Sequence, residues 1–328
     1  MKKGLKEVIL ERRIMKYIRR MLKNHFLTKI DDYKLEKISQ GLNTRTYFLT
    51  IRDRKLVVRF YPFTKRVSAK RFIEATRAIE KSGYPLIPRI VYFDLTIKTL
   101  LRYGLYVIAI EKIDGLSYSN LKGDNEVISN IAKALASLHL IRDNRMGEIW
   151  KSHKKDYYVY LMEKMRESLI EVDRYLTKLG DKKNYVFEWF KTWCMRLENS
   201  KEFSLSHHDL NIDNIIIDRD KNVYFLDLDE CVFETFGFDL AWALFNFCSS
   251  EEERTVFKKV YFDVLPERYK RHWDSCQVFY YAWYCLRKAA TRSHKAHKEM
   301  SRDRDLYTKF KEEASGLWKT LSNYIEKK

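Results

Sequence analysis

The stretch that most constrains this chain runs from Ser206 to Ala241. It contains His207-His208-Asp209, then Asn214 opening a first apolar run, a second apolar run ending at Asp227, and Asp239-Leu240-Ala241. Asn214-Ile215-Ile216-Ile217 and Val223-Tyr224-Phe225-Leu226 are β-rich and flank the polar turn Asp218-Arg219-Asp220-Lys221-Asn222, which is the pattern of a hairpin. Closing that hairpin returns Asp227 to the side of Asn214. An amide oxygen and a carboxylate then face one hard cation, Mg²⁺, which takes oxygen ligands. A loop from Asp209 to Asn214 that turns back leaves the Asp209 carboxylate for an acceptor hydroxyl, the outline of a phosphoryl-transfer site. The rival is an ordinary hairpin with acidic ends, because Asp and Asn favour turns for conformational reasons. The ordered set, with strand-like flanks and a helix start at Asp239, favours the site.

Bulk composition narrows the class. At 328 residues the chain holds enough material for two lobes, and 45% hydrophobic with 15% aromatic residues argues for a packed protein. Only 10 Gly and 4 Pro suit long helices better than a β-sandwich. Cys194, Cys231, Cys248, Cys276 and Cys285 are odd in number and form no C-x-x-C pair, so a disulfide framework or zinc site is not expected and a reducing cytoplasm is. No apolar run reaches the length of a membrane span, and the Lys2, Lys3, Lys6 start is not that of a secretory signal. The net charge of +18 attracts anions, whether nucleotides, phosphorylated substrates, nucleic acid or anionic lipid, without choosing among them. Simple solubility explains it equally.

Along the chain, Leu5, Val8, Met15, Ile18, Leu22 and Phe26 form a helical apolar stripe, read as a helix docked on the fold; a membrane-surface helix is the alternative. Strands fit Lys34–Ser39, Thr46–Ile51, Lys55–Tyr61, Ile90–Asp94 and Leu105–Glu111, with a helix over Ser68–Lys81 between the third and fourth. Beyond Asp114-Gly115 the pattern is helical: Glu126–Ile141, Tyr157–Leu179, Tyr185–Leu197, Leu240–Cys248, His272–Thr291 and Arg304–Ile325. The expected organisation is therefore a helix over 1–30, a nucleotide-binding lobe over 31–113 and a helical lobe with catalytic loop and acceptor site over 114–328. The fold class is α+β, with a bilobal, protein-kinase-like outline.

These motifs resemble the aminoglycoside phosphotransferase and choline kinase superfamily, over a span from about Lys34 into the helix after Asp239. The family pattern is H-G-D-x-x-x-x-N, an apolar strand ending in Asp and an aromatic, then a D-L-A helix start. His207, Asp209, Asn214, Asp227 and Asp239 fall on it, and Ala136-Ser137-Leu138-His139 looks like the helix that precedes the loop. His-His-Asp and Asp-Leu-Asp look most like the bacterial spore-coat kinase-like (CotS) proteins. The chain departs from the pattern at His208, where the family has Gly and a larger side chain threatens to crowd the loop, and at Leu228, where it has an aromatic. The protein-kinase signatures H-R-D, D-F-G and A-P-E are missing, which disfavours a protein substrate.

The resemblance implies ATP and Mg²⁺ as cofactors and distributes roles. Asp209 accepts or orients the acceptor proton, and Asn214 and Asp227 hold the metal. His207 and Asp239 brace the loop by hydrogen bonds, and His139 reads as a core histidine. Asp229 reads as a surface or structural acid, a second metal being the alternative. On the nucleotide side, Gln40-Gly41-Leu42-Asn43-Thr44 resembles a phosphate-covering loop, with Gly41, Asn43 and Thr44 as contacts, although a hairpin turn explains one Gly as well. Arg59 stands where a phosphate-gripping cation is expected, and Glu74 is its candidate partner, with an exposed helix glutamate as the rival. The Glu111 carbonyl and the Ile113 amide would hold adenine at the hinge before Gly115. Tyr157, Tyr158, Tyr160, Trp189 and Trp193 offer either an amine pocket or core packing, core being favoured. The basic run Arg287, Lys288, Arg292, His294, Lys295, His297, Lys298 offers either an anion grip or a solvated helix face. The expected activity is Mg·ATP-dependent phosphoryl transfer to a hydroxyl of a small-molecule acceptor. A nucleotide-binding pseudokinase or structural spore-coat protein, and a nucleic-acid-associated phosphotransferase or binder, are the competing classes.

Overall fold

A computed structural model of the chain describes residues 2–26, 33–39, 44–83, 87–121, 123–150, 157–197 and 203–326, with backbone only at 2–6, 39 and 196. The first part contains α1 (Lys2–Met21), β1 (Tyr33–Ser39), β2 (Arg45–Ile51), β3 (Arg54–Pro62), α2 (Arg66–Ser82), β4 (Ile90–Asp94), α3 (Ile97–Tyr103), β5 (Leu105–Glu111) and β6 (Gly115–Ser117). Next come α4 (Asn125–His139), β7 (Arg142–Asp143), α5 (Tyr157–Tyr175), α6 (Lys182–Leu197), β8 (Phe203–Ser206), β9 (Ile215–Asp218) and β10 (Val223–Phe225). The last are β11 (Val232–Glu234), α7 (Gly237–Phe247), α8 (Glu251–Val264), α9 (Glu267–Glu299) and α10 (Arg304–Glu326). The architecture is thus α+β, strand-rich early and helical late. Two compact units divide it: Met1–Asn120 with Asp213–Cys231, and Leu121–Ile212 with Val232–Lys328.

The first unit is built on an antiparallel sheet in the order β1-β2-β3-β5-β4. Alternation along β3 sends Leu56, Val58 and Phe60 into one buried cluster, where they meet Ile14, Tyr17, Ile18, Met21 and Leu22 of α1 and the residue that follows it. Arg59 and Tyr61 therefore face the other way, toward Phe72 of α2. Of the stripe read in the sequence, Ile18 and Leu22 are fully buried and Met15 and Phe26 pack against the cluster; Tyr17 and Met21 join them, whereas Val8 is half exposed. Polar contacts anchor the helix in this position. Glu7 takes Arg45 in a bidentate pair, Glu11 accepts from Lys37 and Tyr47, and the Tyr17 hydroxyl donates to Asp94 at 3.0 Å. Helix α3, absent from the sequence reading, starts at Thr96, whose hydroxyl accepts from the Thr99 amide.

The hairpin read between Asn214 and Leu226 is present as β9 and β10, with Ile215 opposite Phe225 and Ile217 opposite Val223. Asp218 closes its turn by accepting from the amides of Asp220 and Asn222, and Lys221 supplies the left-handed residue. β6 pairs with β9 so closely that a Cβ on Gly115 would lie 2.4 Å from the Ile217 carbonyl oxygen, which requires glycine there.

The second unit surrounds α9, a 33-residue helix packed against α5, α7 and α10, with a small sheet in the order β11-β8-β7. α9 extends past both ends of its sequence estimate because Pro266 starts it and no breaker interrupts the run to Glu299. Helix α8, also missed, carries a local signal: Ser250 caps the Glu253 amide, and the Glu253 carboxylate accepts from the Ser249 amide. All five cysteines are buried free thiols. Among the described residues no helix is long and apolar enough to cross a membrane.

The packing of α1 makes a test. Ile18→Ala removes a fully buried side chain and is expected to cost about 2–5 kcal/mol in denaturant unfolding. Val8→Ala, on the half-exposed side, is expected to stay within about 0.5 kcal/mol of the parent.

Candidate active site

Within the first unit, Arg59 meets Asp227, the carboxylate read for the metal, and Asp229. This guanidinium is 8% exposed, and a buried cation is costly unless paired. It donates to Asp227 Oδ1 at 2.9 Å and Asp229 Oδ2 at 3.1 Å, and it stacks over the rings of Tyr61 and Phe72. Burial opposes its charge, but Tyr61, Asp229 and Asp227 more than compensate and keep it firmly protonated. Asp229 gives its second oxygen to the Tyr61 hydroxyl at 2.9 Å. Burial pushes the Asp229 carboxyl up to about 7, against the field of Arg59. Asp229 is thus an interior structural acid, not a surface one.

Asp227 adopts the left-handed conformation (φ 58°) just after β10, an uncommon state for a non-glycine residue. The rung below it is closed by the Leu226 amide donating to the Asn214 carbonyl at 2.8 Å, so Asn214 and Asp227 stand at adjacent ends of the two strands. Their side chains offer an amide oxygen and a carboxylate on a part-exposed edge, a donor set that fits a hard divalent ion. Leu228, at the aromatic position of the family pattern, is buried in the turn that packs against α2.

Glu74 does not serve Arg59. It pairs with Arg77 one helical turn away at 2.9 Å, because α2 turns Phe72 rather than Glu74 toward Arg59 and the two aspartates already neutralise that cation. The link from α2 to the aspartate turn has the opposite polarity, Arg71 donating to Glu230 at 3.1 Å. Gly41 and Asn43 lie outside the described residues; Thr44 is part-buried directly before β2, whose Thr46 faces Arg59 in register. At the end of β5, the Glu111 side chain holds Arg89 and its amide donates to the Arg89 carbonyl. Among the described residues the Ile113 amide has no acceptor.

Within the second unit, the catalytic-loop residues are organised by Asp239. This carboxylate, fully buried at the start of α7, accepts from the His207 amide at 2.5 Å and the His208 amide at 3.0 Å, with His139 Nε2 at 3.5 Å. Burial alone would raise its pKa. The hydrogen bond from His139 and the neighbouring histidines bring it down to about 2. His207 Nδ1 in turn accepts from the Asp209 amide at 3.2 Å. The Asn211 side chain donates to Asp209 Oδ1 at 2.5 Å, and Asn246 of α7 holds the Leu210 carbonyl at 2.7 Å. His139 is a core residue that reaches Tyr261 as well.

His208 explains the family glycine and its own presence. Its φ is 62°, a left-handed value that glycine adopts freely and other residues rarely do. The imidazole does not crowd Asp209: it lies against Phe238, with Arg287 at 3.0 Å from Nδ1 and Glu234 at an ion-pair distance of 2.9 Å from Nε2. That second contact lies outside hydrogen-bond geometry, so Glu234 sits beside Nε2 without accepting a hydrogen bond from it. Tyr157 is core, its hydroxyl on Thr235 at 2.6 Å, and Trp189 and Trp193 pack beside Phe190 on α6. Tyr61, Asn211, Glu234 and Lys288 were not singled out individually as partners of the site. Of these, only Lys288 carried a sequence signal, as part of the basic run.

The low pKa of Asp239 sets a pH dependence. A carboxyl depressed from 3.8 to about 2 adds stability that is complete above the unfolded value and is lost as pH falls through the folded one. Asp239→Asn is therefore expected to lower stability at neutral pH by about 2–3 kcal/mol. The gap between variant and parent should close between about pH 4 and pH 2 in urea titrations.

Comparison with the curated proteins gave no match. Among solved structures, an ethanolamine kinase of Plasmodium vivax superposes with a TM-score of 0.66 at 16% identity, covering 94% of this chain and 90% of its own. A choline kinase of Streptococcus pneumoniae gives 0.62 at 17% identity, covering 94% and 99%. The aminoglycoside phosphotransferase APH(4)-Ia gives 0.63 at 12% identity, covering 94% and 99%. At such identities the likeness is one of fold. Residues 34–277, which include every described candidate residue above except the later basic positions of α9, match the model of the phosphotransferase enzyme family, and the chain belongs to that family.

Proposed function

We propose that the chain is a Mg·ATP-dependent kinase that phosphorylates a hydroxyl of a small-molecule acceptor. The observation that supports this most is the convergence of Arg59 and Asp227 at 2.9 Å, a phosphate-type cation joined to a metal-type carboxylate on one edge of the first unit. Asn214 and Asp227 would hold Mg²⁺, which when bound supplies charge neutralisation to the phosphates. Arg59 would grip phosphate oxygens through its planar guanidinium, and Glu111 and Ile113 would receive adenine through backbone groups. Asp209 would take or orient the proton of the acceptor hydroxyl as its oxygen bonds to the γ-phosphorus and ADP leaves. In a loose transition state, placing that carboxylate matters more than its basicity. The bracing by Asp239 and His207 supports such a placing role. A silent, nucleotide-binding relative is the competing reading; the seating of His208 clear of Asp209 removes its main motive.

Calorimetry with Mg·ATP is the direct test. Saturable binding is expected for the wild-type chain, weakened about tenfold or more in Asp227→Ala, and dependent on Mg²⁺. Equal binding by wild type and variant, or none by either, would remove the nucleotide site.

A further inference from the structure

The second unit carries a group of cations that the phosphotransfer roles leave unused. On α9, Lys288, Arg292 and Lys295 recur at helical spacing on one face, and Arg287 points from the same turn to His208. Lys288 is part-buried: its ammonium lies 3.4 Å from the centre of the Trp242 ring and 3.5 Å from Asn211 Oδ1, the amide whose nitrogen holds Asp209. The stripe therefore borders the proposed catalytic carboxylate within one unit of the fold. Phe310 of α10 flanks its far end beside Arg292 and Lys295.

The charges of this stripe are not balanced internally. Arg292 has Glu313 at 2.8 Å, but among the described residues Arg287, Lys288 and Lys295 make no ion pair. Asp209 is the carboxylate whose field reaches both Lys288 and Lys295. Glu313 also reaches Lys295 but is paired with Arg292. Asp209 and Glu313 thus stand against Lys288, Arg292 and Lys295, with Arg287 beside them, and the balance where an acceptor hydroxyl must come is positive. Burial, with Arg292, Arg287 and Lys295 adding like charge, brings the Lys288 ammonium down to about 7 despite Asp209. A lysine kept in that state is under-neutralised, and an oxyanion would relieve it.

Building on the kinase reading, we propose that Lys288 and Lys295 of α9 form an anion subsite beside Asp209, and that the acceptor is a small hydroxyl compound bearing a phosphate or carboxylate group. Choline and ethanolamine, which name two of the similar structures, are cations and would meet like charge here. The bland function of such a stripe, a solvated helix face, does not account for the placing of Lys288 on Trp242 and Asn211.

The test uses the full chain saturated with Mg·ATP and follows acetylation of individual lysines by mass spectrometry. Glycerol 3-phosphate and gluconate are compared with glycerol and choline, and the exposed Lys298 on the same helix is the internal control. Either anion at about ten times its dissociation constant is expected to slow Lys288 labelling about tenfold, with no change at Lys298 and none from glycerol or choline. Phosphate protection alone or carboxylate protection alone identifies which acid the subsite takes. Lys295→Met, at an exposed position that should tolerate substitution, is expected to weaken the protection severalfold. Unaltered Lys288 labelling with both anions, or protection by choline, would overturn the subsite. Mg·ATP binding measured on the same samples separates the two readings. Bound nucleotide without anion protection removes the subsite alone, whereas anion protection without bound nucleotide keeps the subsite and removes the kinase.

Discussion

The buried carboxylate of Asp239 is the interaction on which the catalytic segment depends. An isolated carboxylate in a dry interior is expensive, and this one is stabilised by two backbone amides and an imidazole. Those amides belong to His207 and His208, so neutralising Asp239 fixes the backbone immediately before Asp209. One residue later, His207 Nδ1 takes the Asp209 amide, and Asn211 takes its carboxylate. Each link is a requirement of polar satisfaction, and together they set where the proposed base stands.

Arg59 does the same for the first unit. Its burial demands anions, and Asp227 and Asp229 supply them from a tight turn whose first residue is left-handed. The arrangement joins the cation proposed for phosphate to the carboxylate proposed for the metal through one shared contact. It also explains the interior position of Asp229, which serves Arg59 and Tyr61 at once.

Local patterns made much of this readable. The short apolar, β-rich runs Ile215–Ile217 and Val223–Phe225, split by an Asp/Asn-rich turn, foretold the hairpin that sets Asn214 beside Leu226. The five strands of the main sheet and α2 were legible for the same reason. Pairings across space were not. Glu74 had the right charge and element to meet Arg59, but the rotation of α2 brings Phe72 there, and rotation is set by packing that no local pattern records. The apolar stripe of α1 was legible in Ile18 and Leu22, but the polar partners that Glu7, Glu11 and Tyr17 find on distant strands were not. α8 was readable in principle from Ser250 and Glu253, whereas the burial of Lys288 on Trp242 depends on how α7 and α9 pack.

The central claim is that nucleotide binding belongs to the Arg59 cluster and chemistry to Asp209. Single-turnover release of labelled γ-phosphate from Mg·ATP, measured for the wild-type chain and Asp209→Asn, tests it most directly. The rate should fall about 10²–10⁴-fold in the variant while Mg·ATP affinity stays within about twofold. Undiminished turnover in the variant, or loss of nucleotide affinity in step with rate, would contradict it.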